Sequence, residues 1–275
     1  MDTFYKKYKL SEQEPQATIM MVTFNRLDLT KRTIDSLKQN TNNIINLVIV
    51  DNKSSDETIS YLNDLFKDED LKRIVSSLVL IKNDQNLGIA TARNQALYYS
   101  INELNTPYLS TIDNDVCFPK DWLNDCIIAL NNNKSFGMVG VNFEPVTYPI
   151  IPINGCSIQY KKEGNLGTAC TVFNRNLAKM LGFFNYKDYS PFYGLEGSDW
   201  GFRVRVLGLK LGYIVDNGIH LGEGLADIGD YREFKTKEHD THKEKFFKIC
   251  REYLSKTKPL FISFSTNLIE EKNAI

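Results

Sequence analysis

Two aspartates stand two residues apart where an apolar run ends, in Tyr108-Leu-Ser-Thr-Ile-Asp113-Asn-Asp115. Carboxylates are costly to bury unless paired or bound to a cation, so a pair at the end of a buried strand suggests a metal. Such a pair can hold Mg²⁺ or Mn²⁺ through one or two oxygens and leave positions for substrate phosphates. Asp and Asn also favour turns, so the same residues read equally as a plain turn.

Four further groups of residues carry possible chemistry. Val22-Thr-Phe-Asn-Arg26 puts polar Thr23 and Asn25 after an apolar run, where they can donate to a base or ribose. Asp51, in Val48-Ile-Val-Asp51-Asn52-Lys-Ser-Ser-Asp56, offers a carboxylate to a uracil N–H or a ribose hydroxyl. It can also serve as a helix cap, although Ser55 or Asp56 is better placed for that and would leave Asp51 free. Asn86-Leu-Gly88-Ile-Ala-Thr-Ala-Arg93-Asn94 opens a helix whose N-terminus favours anions, with Gly88 allowing close approach. Arg93 can reach a diphosphate, brace the aspartate pair, or lie on the surface. Neither a Walker sequence nor a dinucleotide fingerprint is present there.

Gly194-Leu-Glu196-Gly-Ser-Asp199-Trp-Gly-Phe-Arg203 places acidic residues before a helix. Ser198 or Asp199 can cap that helix and Glu196 can favour its dipole, or one carboxylate can act as a general base on a hydroxyl. Ile214-Val-Asp216-Asn-Gly-Ile-His220-Leu-Gly222 sets a single histidine in a glycine-flanked turn after a strand-like run. His239 and His242 lie in a charged stretch and read as solvated surface, since no matching ligand accompanies them.

The elements that must position these residues alternate in period. Thr18–Phe24, 47–50, 78–81 and 108–112 read as buried strands, and 27–39, 57–66 and 89–101 carry helical spacing. That alternation predicts an α/β fold with a Rossmann-like, mostly parallel sheet covered by helices on both faces. Ligands collect at the carboxyl ends of such strands, which is where the candidate residues fall. Beyond residue 136 further strands are expected at 136–143, 156–160 and 169–174, after a loop from Glu144 to Pro152. Helices are expected at 176–181, 198–207 and 243–254, and residues 1 to 16 read as a loosely held lead-in. The domain reading is a catalytic unit over 1–222, with a nucleotide half at 18–135 and an acceptor-side half at 136–222, followed by a helical extension over 223–275.

Bulk properties narrow the class. The 275 residues are 42% hydrophobic and 24% charged, with a formal net charge of -1, which gives no reason to expect nucleic-acid binding. No apolar run approaches the roughly 20 residues that span a bilayer. The N-terminal residues lack the apolar core of a secretory signal, so a cytoplasmic location is expected, with peripheral contact at the inner face of a membrane allowed. Five scattered cysteines, none in Cys-x-x-Cys spacing, read as reduced thiols.

Taken in order, these pieces resemble the inverting GT-A glycosyltransferases of family 2, over about residues 18–222. The resemblance rests on Met21-Val-Thr-Phe-Asn-Arg26, Val50-Asp51-Asn52 with Ser54 to Asp56, Asn86-x-Gly88 with Ala92-Arg93-Asn94, Asp113-x-Asp115, Glu196-x-x-Asp199 with Arg203, and His220. It implies a nucleotide-sugar donor, most often a UDP-sugar, in a pocket of Thr23, Asn25, Arg26, Asp51, Asn52, Asn86, Gly88, Arg93, Asp113 and Asn114. It further implies Mn²⁺ or Mg²⁺ on Asp115, with Asp113 and His220 as further ligands. An acceptor hydroxyl of a glycan, protein or lipid-linked molecule would attack with inversion while a carboxylate takes its proton.

One departure bears on that base. The family often has Glu-Asp there, whereas Glu196 is followed by Gly197, leaving Glu196 as the expected base and Asp199 as the reserve. Two rivals keep the fold: a sugar-1-phosphate nucleotidyltransferase, which would carry a Gly-rich basic loop after the first strand, and a non-catalytic sugar-binding module. A glycosidase with two carboxylates would leave the nucleotide-pocket features unexplained.

Overall fold

The computed structural model describes residues 4–189, 194–222 and 230–263. In chain order its elements are β1 (Phe4–Lys9), β2 (Ala17–Thr23), α1 (Leu27–Asn40), β3 (Ile45–Asp51), α2 (Thr58–Asp64), α3 (Glu69–Lys72), β4 (Val75–Lys82) and α4 (Ile89–Glu103). They continue with β5 (Tyr108–Asp113), β6 (Val116–Cys117), α5 (Trp122–Asn132), β7 (Phe136–Gly140), β8 (Ile150–Ile153), β9 (Cys156–Lys161), β10 (Cys170–Asn174) and α6 (Arg175–Leu181). Last come α7 (Glu196–Val206), β11 (Lys210–Ile214), β12 (Ile219–His220) and α8 (Asp230–Leu254).

One large sheet runs β1-β4-β3-β2-β5-β10-β7-β11-β9-β8. Its β4-β3-β2-β5 portion is parallel, and every residue of β2 and β3 is buried. Alternate residues explain why these strands read as unbroken apolar runs. Ile19, Met21, Leu47 and Ile49 pack on the face that α1 covers, while Met20, Val22, Val48 and Val50 pack on the other under α4; α5 and α7 continue those two faces at β7 and β11. Register levels the strand ends: Thr23 lies beside Asp51, Asp51 beside Lys82, and Val22 beside Asp113. The three helical crossovers that join these four strands therefore deliver their strand-to-helix loops to one end of the sheet, and the cleft forms there.

Several expectations change. The lead-in is not loose, because Phe4–Lys9 is an antiparallel edge strand on β4, with Tyr5 edge-on to Tyr99 and Tyr8 stacked on Phe66. Its charged, short-range sequence hid two tyrosines that face opposite sides of the sheet. Helix α5 was not expected. It buries Trp122, Leu123 and Cys126, and its Trp122 indole donates to Thr41 Oγ1 at 3.0 Å. The loop from Glu144 to Pro152 ends in β8, where Pro152 is tolerated because the strand lies at the sheet's edge. The C-terminal extension is helical as expected over 243–254, but α8 begins earlier, at Asp230. It packs through Phe246, Ile249, Cys250 and Tyr253 onto Tyr189 and Leu195. Residues 223–229, where the extension begins, lie outside the described residues.

Candidate active site

The aspartate pair is built at the point where β5 stops. Asp113 is the last residue of that strand, and β6 turns back to pair antiparallel with β12, so that Val116 faces His220. The Asp115 carbonyl accepts from Leu221 N at 2.7 Å, which carries the histidine to the aspartates. Asp113, Asp115 and His220 can each direct one ligand atom so that all three lie within 4.8 Å of one another. The third wall is Gly222, where a Cβ would stand 2.6 Å from Asp115 Oδ2. Two carboxylates and an imidazole around a space that a side chain would fill suit a divalent cation.

Two arginines attend the carboxylates. Asn25 and Arg26 both adopt left-handed backbone conformations, at φ 55° and 63°. Non-glycine residues rarely do so, and here Ser54 and Ser55 hold the turn: Asn25 N donates to Ser54 Oγ at 2.8 Å, and Asn25 Oδ1 accepts from Ser55 N at 2.7 Å. The turn aims Arg26 into the cleft, where its Nη1 lies 3.1 Å from Asp115 Oδ2. Arg93, near the start of α4, bonds Asp113 Oδ1 through Nη2 at 2.6 Å and Glu196 Oε1 through Nη1. Of the roles open to Arg93 in the sequence, the structure shows the brace.

Glu196 is the first residue of α7 and only 5% exposed. One oxygen is held by Arg93, and Oε2 is buried with no hydrogen-bond partner among the described residues. Burial pushes the carboxyl above its ordinary range, against the opposing pull of Arg93. Ser198 and Asp199 do not cap the helix, which has no side-chain cap. At Gly197 a Cβ would stand 2.4 Å from Thr168 Cγ2, so position 197 has no room for a carboxylate.

A cleft of about 960 Å³ gathers Asn25, Arg26, Asn52, Asn86, Arg93, Asp113, Asn114, Asp115, Glu196 and His220. Four of the residues expected in the site are not on its walls: Thr23, Asp51, Gly88 and Asp199. Asp51 is not free. Oδ2 accepts from Lys53 N at 3.1 Å and Ser54 N at 3.0 Å, and Oδ1 accepts from Ser54 Oγ at 2.5 Å. Asp51 thus shapes its own loop, while Asp56 accepts from Thr58 N at 3.0 Å. Burial raises the Asp51 carboxyl, with the Ser54 bonds opposing.

Thr23 sits under the floor, where its hydroxyl meets Thr30 at 3.2 Å and receives Asn114 Nδ2 at 3.3 Å. Gly88 caps α4 at φ 81°, and its N–H goes to Asn86 Oδ1 at 2.9 Å. Asn52 bonds Asn86 at 2.7 Å and Asn83 at 3.0 Å, and Asn83 exchanges amide bonds with Gln95. This amide cluster holds the loop that leads into α4.

Asp199 is withdrawn from the site. It is wholly buried, with Oδ1 2.8 Å from Arg203 Nε and Oδ2 accepting from the Tyr189 and Tyr253 hydroxyls at 3.0 Å each. Arg203 in turn donates to the carbonyls of Leu181, Phe183 and Leu260. This network ties α7 to α8 and leaves no oxygen facing the cleft.

The cleft also contains residues not anticipated, among them Phe143, Thr168, Tyr213, Phe234 and His239. His239 is exposed, in keeping with the reading of solvated surface, and α8 places it at the cleft rim, while His242 lies 4.0 Å from Glu238. No local signal marks these side chains, since each is brought in by tertiary packing.

Residues 18–173 match the profile of glycosyl transferase family 2. The chain belongs to that family. This family 2 chain is 32% identical over 98 residues to a teichoic acid poly(glycerol phosphate) polymerase of Staphylococcus epidermidis. That match covers 36% of this chain and 12% of the relative, so the chain spans a small part of that protein's length. Its fold is similar to the mannosyltransferase PcManGT of Pyrobaculum calidifontis in complex with GDP-Man and Mn²⁺ (TM-score 0.59, 16% identity, 88% of this chain and 70% of that one). It is also similar to S. aureus TarS in complex with UDP-GlcNAc (TM-score 0.53, 14% identity, 87% and 71%). A third likeness is to GalNAc-T7 with UDP, GalNAc and Mn²⁺ (TM-score 0.55, 12% identity, 89% and 59%). The family 2 chain therefore has the GT-A fold: a large central sheet, parallel over β4-β3-β2-β5, flanked by helices. No helix among the described residues is long and apolar enough to cross a membrane.

Proposed function

We propose that this chain transfers a sugar from a nucleotide-sugar donor, a UDP-sugar, to an acceptor hydroxyl of a glycan or glycoconjugate with inversion at the anomeric carbon. The observation that carries this reading is Glu196: one carboxylate oxygen fixed by Arg93, the other buried and unpaired, in the cleft that also holds Asp113, Asp115 and His220. A general base must be held in place yet keep a lone pair for the incoming proton, and Glu196 meets both conditions.

In this reading the acceptor oxygen attacks the anomeric carbon from the face opposite the diphosphate. Its proton passes to Glu196 Oε2, and the bond from carbon to the diphosphate oxygen breaks with its electron pair. Asp113, Asp115 and His220 would hold a divalent cation, which when bound would supply neutralisation of the charge on the departing diphosphate. Asn25, Asn86 and Asn114 offer amide groups to the nucleotide, while Asn52 and Asp51 act by shaping the loops at 83–88 and 51–54. Asp199 serves as the anchor of α7 and not as the base. Much of the rate would come from alignment of the two substrates across the cleft.

Binding and hydrolysis of a panel of UDP- and GDP-sugars, with and without Mn²⁺, test the reading in wild type, Asp115→Ala and Glu196→Gln. Mn²⁺-dependent binding of one donor is expected, lost in Asp115→Ala and kept in Glu196→Gln, with turnover lost in both. No binding of any nucleotide sugar by the folded protein would sink the transferase reading and favour a non-catalytic module.

A further inference from the structure

Beyond Glu196 the cleft has a second, continuous wall. Gly197 lies against Thr168, where an added Cβ would meet the threonine side chain at 2.4 Å. One residue back, Gly167 points its N–H at the Tyr213 hydroxyl. The Tyr213 ring lies 5.7 Å from that of Tyr148, whose hydroxyl donates to Glu144 Oε2 at 2.9 Å. Phe143, Glu144, Gly167, Thr168 and Tyr213 all line the cleft on this side. The amides proposed for the nucleotide come from other elements, the loops that follow β2, β4 and β5.

The segment that carries Phe143 and Glu144 is braced from inside. Asn142 is wholly buried; its Oδ1 accepts from Glu144 N at 3.1 Å and its Nδ2 donates to the Val146 carbonyl at 2.6 Å. Gln159 is 2% exposed, accepts from Tyr148 N at 3.3 Å and donates to the carbonyls of Ile214 and Val215. Phe143 is seated on Gly218, where a Cβ would come within 2.3 Å of its ring. Lys161 donates to the Tyr148 hydroxyl at 2.5 Å and lies 3.8 Å from Glu144 Oε2. Both contacts fall on one oxygen of Glu144, whose side chain is 55% exposed, and Oε1 has no hydrogen-bond partner among the described residues.

Held this way, Glu144 accepts hydrogen bonds beside an aromatic ring. Hydroxyls donate to a carboxylate, and the C–H face of a sugar ring can cover an aromatic side chain. A phosphate dianion has no proton to give and carries like charge.

We propose that Glu144, oriented by Tyr148 and Lys161, binds the acceptor through its hydroxyls with Phe143 against the ring, so that the acceptor's reacting end is a neutral sugar and not a phosphorylated polyol. This rests on the reading of Glu196 as the base, which puts the acceptor at this wall. Tyr148 is a positioning residue, since it touches Glu144 and not the acceptor.

Saturation-transfer NMR titrations with UDP and Mg²⁺ present test this in wild type, Glu144→Gln, Tyr148→Phe and the double variant. The neutral probes are methyl glucoside and methyl galactoside, and the anionic probe is glycerol 3-phosphate. At least one glycoside is expected to bind wild type more tightly than glycerol 3-phosphate does. Glu144→Gln should weaken that glycoside roughly tenfold, the least expected of a hydrogen bond to a charged group, and narrow its preference over glycerol 3-phosphate. Tyr148→Phe should weaken it by less and add nothing in the double variant, because its effect passes through Glu144. A glycoside bound equally by wild type and Glu144→Gln would overturn the inference. So would tighter binding of glycerol 3-phosphate to wild type, or a protein that binds UDP but neither glycoside. Failure of the folded wild type to bind UDP would instead overturn the transferase reading beneath it.

Discussion

Arg93 and Glu196 form an ion pair between α4 and α7 in which both side chains are only 6% exposed. Asp113 shares the same guanidinium, so one buried arginine joins the residue that ends β5 to the proposed base. Burying such charges is favourable only while the set is complete.

Arg93→Met is therefore expected to destabilise the fold by about 3–5 kcal/mol, because it leaves buried carboxylates unpaired. Denaturant unfolding would read the loss. The double variant Arg93→Met with Glu196→Gln should recover part of it without recovering transferase activity, which separates stability from chemistry.

Glu196→Gln should lower turnover by roughly 10²–10⁴-fold, the usual worth of a general base, while nucleotide affinity stays near wild type. Steady-state rates alongside UDP titration by calorimetry check both halves. Turnover within a few-fold of wild type would remove Glu196 from the proton transfer.

The Glu196 carboxyl is raised from its ordinary 4.5 by burial. A group raised in the folded state contributes stability below its unfolded pKa and loses it as pH rises through the folded value. Relative to wild type, Glu196→Gln should therefore gain stability as pH climbs past 4.5 and reach a plateau above the folded pKa. Unfolding midpoints across that window decide the sign. The acid limb of the rate profile should likewise lie above 4.5.

Gly197→Ala should destabilise by about 1–3 kcal/mol, since the added carbon would press on Thr168. Thr168→Ala removes the atom it meets and should restore most of the loss in the double variant. Thermal melts of the four proteins would show whether the two positions are coupled.

Asp199→Ala should cost about 3–5 kcal/mol by leaving Arg203 buried without its carboxylate. Below its lowered melting temperature, the variant should keep the shape of the pH–rate profile, which a lost base would change.

Much of this was legible in the residues themselves. The parallel half of the sheet shows in its unbroken apolar runs, because strands covered on both faces have no polar side to alternate with. Asp113, Asp115 and His220 could be named together only through the family resemblance, because Asp-Asn-Asp reads equally as a turn and a lone histidine as structural; the β6–β12 ladder is what brings their ligand atoms within 4.8 Å of one another. Asp51 and Asp199 were harder. A carboxylate that shapes a loop and one that faces a ligand have the same local sequence, and only the positions of Ser54, Arg203, Tyr189 and Tyr253 separate the roles. His239 and Phe234 could not be found from sequence at all, because a helix in a polar stretch gives no sign of which cleft it borders.

The two-residue ladder that sets His220 opposite Val116 joins positions far apart along the chain. Yet β11, which ends five residues before Ile219, lies between β7 and β9 in the large sheet, so assembly of the sheet already carries His220 towards Asp115. The ladder only completes an approach that the sheet has made. Mn²⁺ affinity should then return during refolding together with the sheet's own spectroscopic signal, in a single phase.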